Sequence, residues 1–283
     1  METHIDWLSF SVMVGSGEIP EYGWSWEDVQ WHIEAFLGAD ITSFLGGDGW
    51  EVGPGRAPYA SSFRSKSRGV TVFWSGKASH ALIEVSGVGM LAFRQHSLEI
   101  ALLTAAHARV TRLDVASDIA TDLNPFDFAN DREPGRTKAR GSYTSKSGQT
   151  EYVGSRQSER FARVYRYSDP HPRAHLLRVE HELKGETAKA GIAFILANGL
   201  DELQADVGAR FGWRHPVWTP EKQSDATLVL PAQHRQDAKT EIWLRTQCVA
   251  AFRKLVHNGT IVDPERWLME VFLGPDKPEV NQG

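Results

Sequence analysis

Leu177-Arg178-Val179-Glu180-His181-Glu182-Leu183 decides the fold class, because its charged residues recur at every second position. Side chains alternate across a β-strand, so Arg178, Glu180 and Glu182 share one face while Leu177, Val179 and Leu183 share the other. Two upstream stretches follow the same rule. Thr111-Arg112-Leu113-Asp114-Val115-Ala116-Ser117-Asp118 sets Arg112, Asp114 and Asp118 against Leu113, Val115 and the following Ile119. Arg160-Phe161-Ala162-Arg163-Val164-Tyr165-Arg166-Tyr167 sets Arg163, Tyr165 and Tyr167 against Ala162 and Val164. Each strand has an apolar face for a core and a second face that carries Arg with a carboxylate or a Tyr.

If these strands are neighbours, the second face gathers carboxylates, guanidiniums and phenols. A carboxylate pair is the oxygen-rich donor set that Mg2+ or Mn2+ prefers. Arginines beside it suit bidentate phosphate recognition, and a tyrosine there can attack phosphorus as a covalent nucleophile. The plainer alternative is a solvated sheet face laced with ion pairs.

Outward from these strands, the first half of the chain is mostly strand-forming, over 5–14, 70–74 and 81–85. One amphipathic helix interrupts it. Ser25 is its cap, Asp28 takes the capping-box position, and Trp26, Val29, Ile33, Phe36 and Leu37 form its stripe. A second helix is expected over 98–108 with Ser97 as cap. Gly46-Gly47 and Gly87-Val88-Gly89 suggest turns, and His171 and His175 flank Pro172 in a loop. After Glu186 the pattern turns helical, over 188–198, 200–211, 240–257 and 264–272. A connection at 213–235 and a frayed tail from Gly274 complete the chain. The expected fold is α+β: a central, mainly antiparallel sheet carrying the site, helices packed on one face, and a helical C-terminal section. The division falls into 1–186 and a helical 187–283, which the same domain can include.

Composition narrows the function classes. Of 283 residues, 41% are hydrophobic and 24% charged, as in an ordinary globular protein. The one cysteine, Cys248, excludes a disulfide framework and a cysteine-ligated zinc site, and suits a reducing cytoplasm. No apolar run is long enough to span a membrane, and the N-terminus lacks the pattern of a signal peptide. There is no P-loop, no dinucleotide fingerprint and no His-hydrophobic-His pair. The net charge of −5 argues against nucleic acid until it is resolved by position. From Arg132 to Arg166 there are nine Lys or Arg against three Glu, a segment of +6 inside a remainder of −11.

The strings 111–118, 149–167 and 176–184 resemble the replication initiation factor family, the rolling-circle initiators of small plasmids with relatives among phages, integrative elements and conjugative relaxases. The family pattern runs T-R-[IL]-D…D, then E-T-x-Y-x-G-x-R-x-S-x-R-[FY]-x-R-[IV]-Y-[ND]-K, then R-V-E-x-E-L-K, and its order and spacing are kept over these segments. The opening Ile5-Asp6-Trp7-Leu8-Ser9-Phe10 also looks like the start of such a domain. The resemblance implies a catalytic nicking domain over 1–186 and puts the nucleophile on Tyr165. It implies metal-binding carboxylates at Asp114 and Glu180, with Asp118 and Glu182 as further candidates for Mg2+ or Mn2+. Arg163 and Arg178 would bind the scissile or flanking phosphates.

DNA contacts are expected from Arg112, Arg156, Arg160, Arg166, Lys146 and Lys184, and Tyr167 and Tyr152 are auxiliary candidates. One departure is plain: Arg166 and Tyr167 stand where the family has Asn or Asp and then Lys. Arg163 or Arg166 is expected to lower the pKa of Tyr165. The implied partners are origin DNA, single-stranded or cruciform, and a host helicase. Members often act as dimers, which would place dimer contacts or origin recognition on the C-terminal helices. A mobilisation relaxase with the same chemistry, and a non-catalytic origin or operator binder, are the alternatives.

Overall fold

The structure is a computed structural model that describes residues 2–14, 24–38, 49–56, 58–65, 69–74, 78–95, 98–107, 109–133, 140–145, 148–158, 160–167, 170–214, 256, 258 and 260–263. The chain divides into two compact units, Met1–Leu230 and Pro231–Gly283. The expected turn at Gly46-Gly47, the cap Ser97, Lys146, and the helices at 240–257 and 264–272 lie outside the described residues, almost wholly in the case of 240–257. So do the connection beyond Arg214 and the tail.

The first unit is α+β, with ten strands and six helices among its described residues. The strands are β1 (Glu2–Met13), β2 (Trp50–Pro54), β3 (Ser61–Ser65), β4 (Val70–Trp74), β5 (His80–Ser86), β6 (Val110–Ile119), β7 (Arg140–Ser145), β8 (Gly148–Val153), β9 (Arg160–Arg166) and β10 (Leu177–Lys184). They form one sheet in the order β2-β3-β4-β5-β1-β6-β10-β9-β8-β7, with every pair antiparallel. The helices are α1 (Trp26–Leu37), α2 (Gly87–Gln95), α3 (Glu99–Ala106), α4 (Pro125–Asn130), α5 (Gly185–Asn198) and α6 (Leu200–Phe211).

The alternating residues sort as the period of two requires. Leu113, Val115 and Ile119 of β6 join Leu177, Val179 and Leu183 of β10 and Ala162 and Val164 of β9 in one buried cluster. The α1 residues Val29 and Ile33, the α3 residues Leu102 and Leu103, and Ile192 and Leu203 of α5 and α6 complete that cluster. Such burial is the main favourable term in folding. The boundary after Glu186 falls two residues into α5, and α5 and α6 pack on β6 within the first unit.

α1 starts and stops where its sequence directs. The Ser25 side chain accepts from the Asp28 N–H and the Asp28 side chain accepts from the Ser25 N–H. Gly38, at φ 65°, closes it in the left-handed conformation that glycine adopts without strain. In α3 the cap position is held by Leu98, which makes no side-chain cap bond.

Gly87-Val88-Gly89 corrects the reading as a turn: it opens α2. Glycine is a poor helix former, but Met90 and Phe93 bury in the core and offset that deficit. A Cβ at Gly87 would lie 2.9 Å from Asp6 Oδ1, the end of a side chain that can shift to admit it. The helix α4 is announced only by Asn124, whose side chain accepts from the Asp127 N–H, and by Pro125 in its first turn.

On the core side, His181 is fully buried within a polar chain. Trp213 Nε1 donates to His181 Nε2 at 2.9 Å, which leaves Nδ1 as donor to Gln204 Oε1 at 3.1 Å. Gln204 Nε2 in turn donates to Ser117 Oγ at 2.9 Å. Burial depresses the imidazole to a pKa of about 4, so the ring is neutral. This chain fastens α6 and Trp213 to β6 and β10.

Candidate active site on the sheet face of β6, β10 and β9

The register assembles the site. Arg178 stands opposite Asp118 on one side and Tyr165 on the other, Glu180 opposite Arg163, and Glu182 opposite Asp114. β10 is therefore the axis that brings the three charged faces together. Its neighbour-but-one β1 adds a residue through an irregularity. The β1–β6 register shifts between Ile5 and Trp7, and the extra residue, Asp6, reaches Arg178 Nη1 at 2.9 Å. Trp7 lies under the Arg112 guanidinium, 4.8 Å from its ring centroid.

The charges form two linked groups. In the first, Arg112 donates to both oxygens of Asp114, at 2.8 Å through Nε and at 2.5 Å through Nη2. The same Nη2 lies 3.1 Å from Glu182, which Lys184 also pairs. Arg163 Nη2 is 3.1 Å from Asp114 Oδ2 and 2.6 Å from Glu180 Oε2. The other Glu180 oxygen accepts from the Tyr165 hydroxyl. In the second group, Arg178 donates from Nε and Nη2 to Asp118 at 2.7 and 2.8 Å, and Arg173 pairs the same carboxylate. Arg178 also lies over the Tyr167 ring, 4.8 Å from its centroid. Tyr167 meets Tyr165 edge to face.

Electrostatics sets the working groups apart. Burial, then the Glu180 charge, raises the Tyr165 phenol well above its ordinary value. This corrects the expectation that Arg163 or Arg166 lowers it: the relieving cation is Arg178, and it is outweighed. Glu180 is raised by burial to about 7, against the pull of Arg163. Burial also raises Asp114, which its two arginines only partly offset. For Asp118, burial is overcome by its bond to Arg178, and the carboxyl titrates below the usual range.

The remaining predicted DNA contacts divide. Arg156 is exposed and stacks over Tyr152 and Phe161, at 5.0 and 5.7 Å. Its carbonyl accepts from Lys184. Arg160 is half-buried, and burial and then Arg210 lower its pKa. Arg166 donates to the carbonyls of His175, Thr121 and Leu123, so it ties two loops to the end of β9. Tyr152 stands opposite Arg163 on β8 and stacks on Phe161.

Four side chains of the site escaped the sequence reading: His4, Asp6, Arg94 and Arg173. Together with Tyr165, Tyr167, His171 and Arg178 they line a cavity of about 450 Å³. Only the bulge brings Asp6 to this face, and an extra residue in one strand has no signature in its own sequence. Along β1 and β5 the polar face continues to Glu84, paired with Arg56, beside Ser9 and Arg112.

For a metal, the donor set converges on one point only in part. Asp114 and Glu180 each direct an oxygen at Arg163 Nη2, and Asp118 is saturated by Arg178 and Arg173. Among the described residues no three His, Cys, Asp or Glu are grouped to hold an ion. A guanidinium occupies the point that a cation would need, so the arrangement does not fit a preformed metal centre.

No family model matches the chain, and no curated protein matches its sequence. Among solved structures, it is similar to the rolling circle replication initiator protein of Geobacillus stearothermophilus. The likeness covers 81% of this chain and 92% of that one, with a TM-score of 0.53 and 18% identity. It is a likeness of fold. Among the described residues, no helix is long and apolar enough to cross a membrane.

Proposed function

We propose that this chain is a rolling-circle replication initiator that nicks and rejoins one DNA strand through a 5′-phosphotyrosine on Tyr165. One observation carries the reading: the Tyr165 hydroxyl donates to a buried carboxylate, Glu180, within a field of guanidiniums. A phenol is a weak nucleophile until its proton leaves. Glu180 is in contact with that proton, and its raised pKa makes it a base matched to neutral pH.

As the Tyr165 oxygen bonds to phosphorus, the phenolic proton passes to Glu180 and the P–O3′ bond breaks. The leaving oxygen takes a proton from solvent and becomes the 3′-OH. Arg163 and Arg178 face the charge that develops on the non-bridging oxygens. The phosphodiester energy is kept in the tyrosyl ester, so the reverse attack by a 3′-OH rejoins a strand. Exposed Arg156, with Lys184 and Arg112 on the same face, would hold the flanking phosphates. Since the sequence has no P-loop, a host helicase would open the duplex. No step passes through Mg2+ or Mn2+, because Arg163 fills the point on which Asp114 and Glu180 converge.

The test is a nicking assay on origin DNA, with and without Mg2+ or Mn2+, that scores covalent protein–DNA adduct. The wild type is expected to form it and Tyr165→Phe to form none. An adduct that survives Tyr165→Phe and is lost in Tyr167→Phe or Tyr152→Phe would move the nucleophile. A wild type inert under all conditions would leave a DNA-binding module without chemistry.

A further inference from the structure

The cavity beside Tyr165 has a lining unlike the ion-pair field next to it. Part of that lining is apolar and exposed: Val88 and Leu91 of α2 are 56% and 47% open to solvent. Part is aromatic. His171 stacks on Tyr167 with ring centroids 3.9 Å apart and planes within 17°. Charged groups also line it: Arg94, paired with Glu99, Arg173, paired with Asp118 and Glu2, and Arg178, with the carboxylates of Glu2 and Asp6. A surface that combines aliphatic walls, stacked rings and cationic groups is matched to a planar heterocycle bearing a phosphate.

We propose that this cavity holds an unstacked nucleotide of the DNA strand, the one next to the phosphate that Tyr165 attacks. Its base would lie between the α2 side chains and the His171–Tyr167 stack. Arg94 and Arg173 would exchange their carboxylate partners for the neighbouring phosphate. Taking one base out of the stack fixes the backbone on either side of it, which presents the adjoining phosphate to the nucleophile. The assignment rests on Tyr165 being that nucleophile.

The experiment is photo-cross-linking of the full chain to a randomised single-stranded DNA pool in which 5-iododeoxyuridine replaces thymidine, with the adducts mapped by peptide mass spectrometry. Cross-links to Tyr167 or His171 are expected, with yield falling about tenfold in Leu91→Glu and in His171→Ala, the size of one base-stacking contact. Cross-links only at other parts of the chain, or a yield at Tyr167 unchanged by both substitutions, would overturn the proposal while leaving the Tyr165 chemistry standing. Cross-links in the cavity of a protein that forms no Tyr165-dependent adduct would instead remove the nicking reading and keep the nucleotide site. A millimolar excess of 5′-dAMP separates the two sources of such a ligand. Loss of the cavity cross-link alone marks a site that also takes free nucleotide, and persistence marks one that needs the strand.

Discussion

The Tyr165 hydroxyl donates its hydrogen bond to Glu180, and Glu180 is the carboxylate whose second oxygen faces Arg163. The proposed nucleophile, its proposed proton acceptor and a cation are thus linked by contacts across β9 and β10. Glu180 works as a base only when ionised, and its carboxyl titrates at about 7. Adduct formation should therefore rise with pH below 7, about tenfold per unit, and level off above it. Glu180→Gln should flatten the profile and slow the step by roughly a hundredfold or more. A Glu180→Gln variant with the wild-type pH profile would sink the assignment.

Arg163 Nη2 spans Asp114 and Glu180, whose side chains are 0% and 2% exposed. Arg163→Gln leaves Glu180 without this cation beside an Asp114 that keeps Arg112, at a cost on the order of 3 kcal/mol in unfolding free energy. Mn2+ should restore melting temperature to the variant and shift the wild type far less, because the cation then takes the place of the guanidinium. Equal Mn2+ shifts in both proteins, read by thermal denaturation, would show that the two do not compete.

Arg178 and Asp118 form the best-aligned buried pair of the site. Asp118→Asn leaves Arg178 with Asp6 and Arg178→Gln leaves Asp118 with Arg173, so each should destabilise by about 1.5–3 kcal/mol. The double variant should recover part of that loss, and strict additivity of the two in chemical denaturation would deny the coupling. The Asp118 carboxyl is held below its ordinary value, so its contribution is complete above the unfolded pKa of 3.8 and fades as pH falls through the lower folded value.

His181 gives a second acid sensitivity at higher pH. The folded ring titrates at about 4 against 6.5 in the open chain, so between these values the unfolded state binds the proton and the native state does not. Stability should fall from pH 6.5 to 4, by up to roughly 3 kcal/mol. In His181→Gln this slope should be missing from the pH dependence of denaturant midpoints.

Arg156 is an exposed cation of this face, stacked over Tyr152 and Phe161. Arg156→Ala should weaken single-stranded DNA binding and lower the slope of log affinity against log salt by about 0.7, one phosphate contact. An unchanged slope in a fluorescence-anisotropy titration would take Arg156 off the DNA path.

The two-residue period of 111–118, 160–167 and 177–183 determined the strands, their apolar side and the face of Asp114, Tyr165 and Glu180, since alternation follows from backbone geometry alone. α1 was equally legible, because a capping box and a helical stripe are local signals. α2 was hidden by its glycines, whose helical state depends on Met90 and Phe93 reaching a core that other segments build. Only the tertiary structure decided that β10 lies between β6 and β9, and hence that Tyr165 meets Glu180 and Arg163 stands between the carboxylates. It also brought in Asp6, through a bulge visible only when β1 is paired with β6, and raised the Tyr165 and Glu180 pKa values by burial. Strand alternation is a property of neighbours in the chain; pairing, bulges and desolvation are properties of neighbours in space.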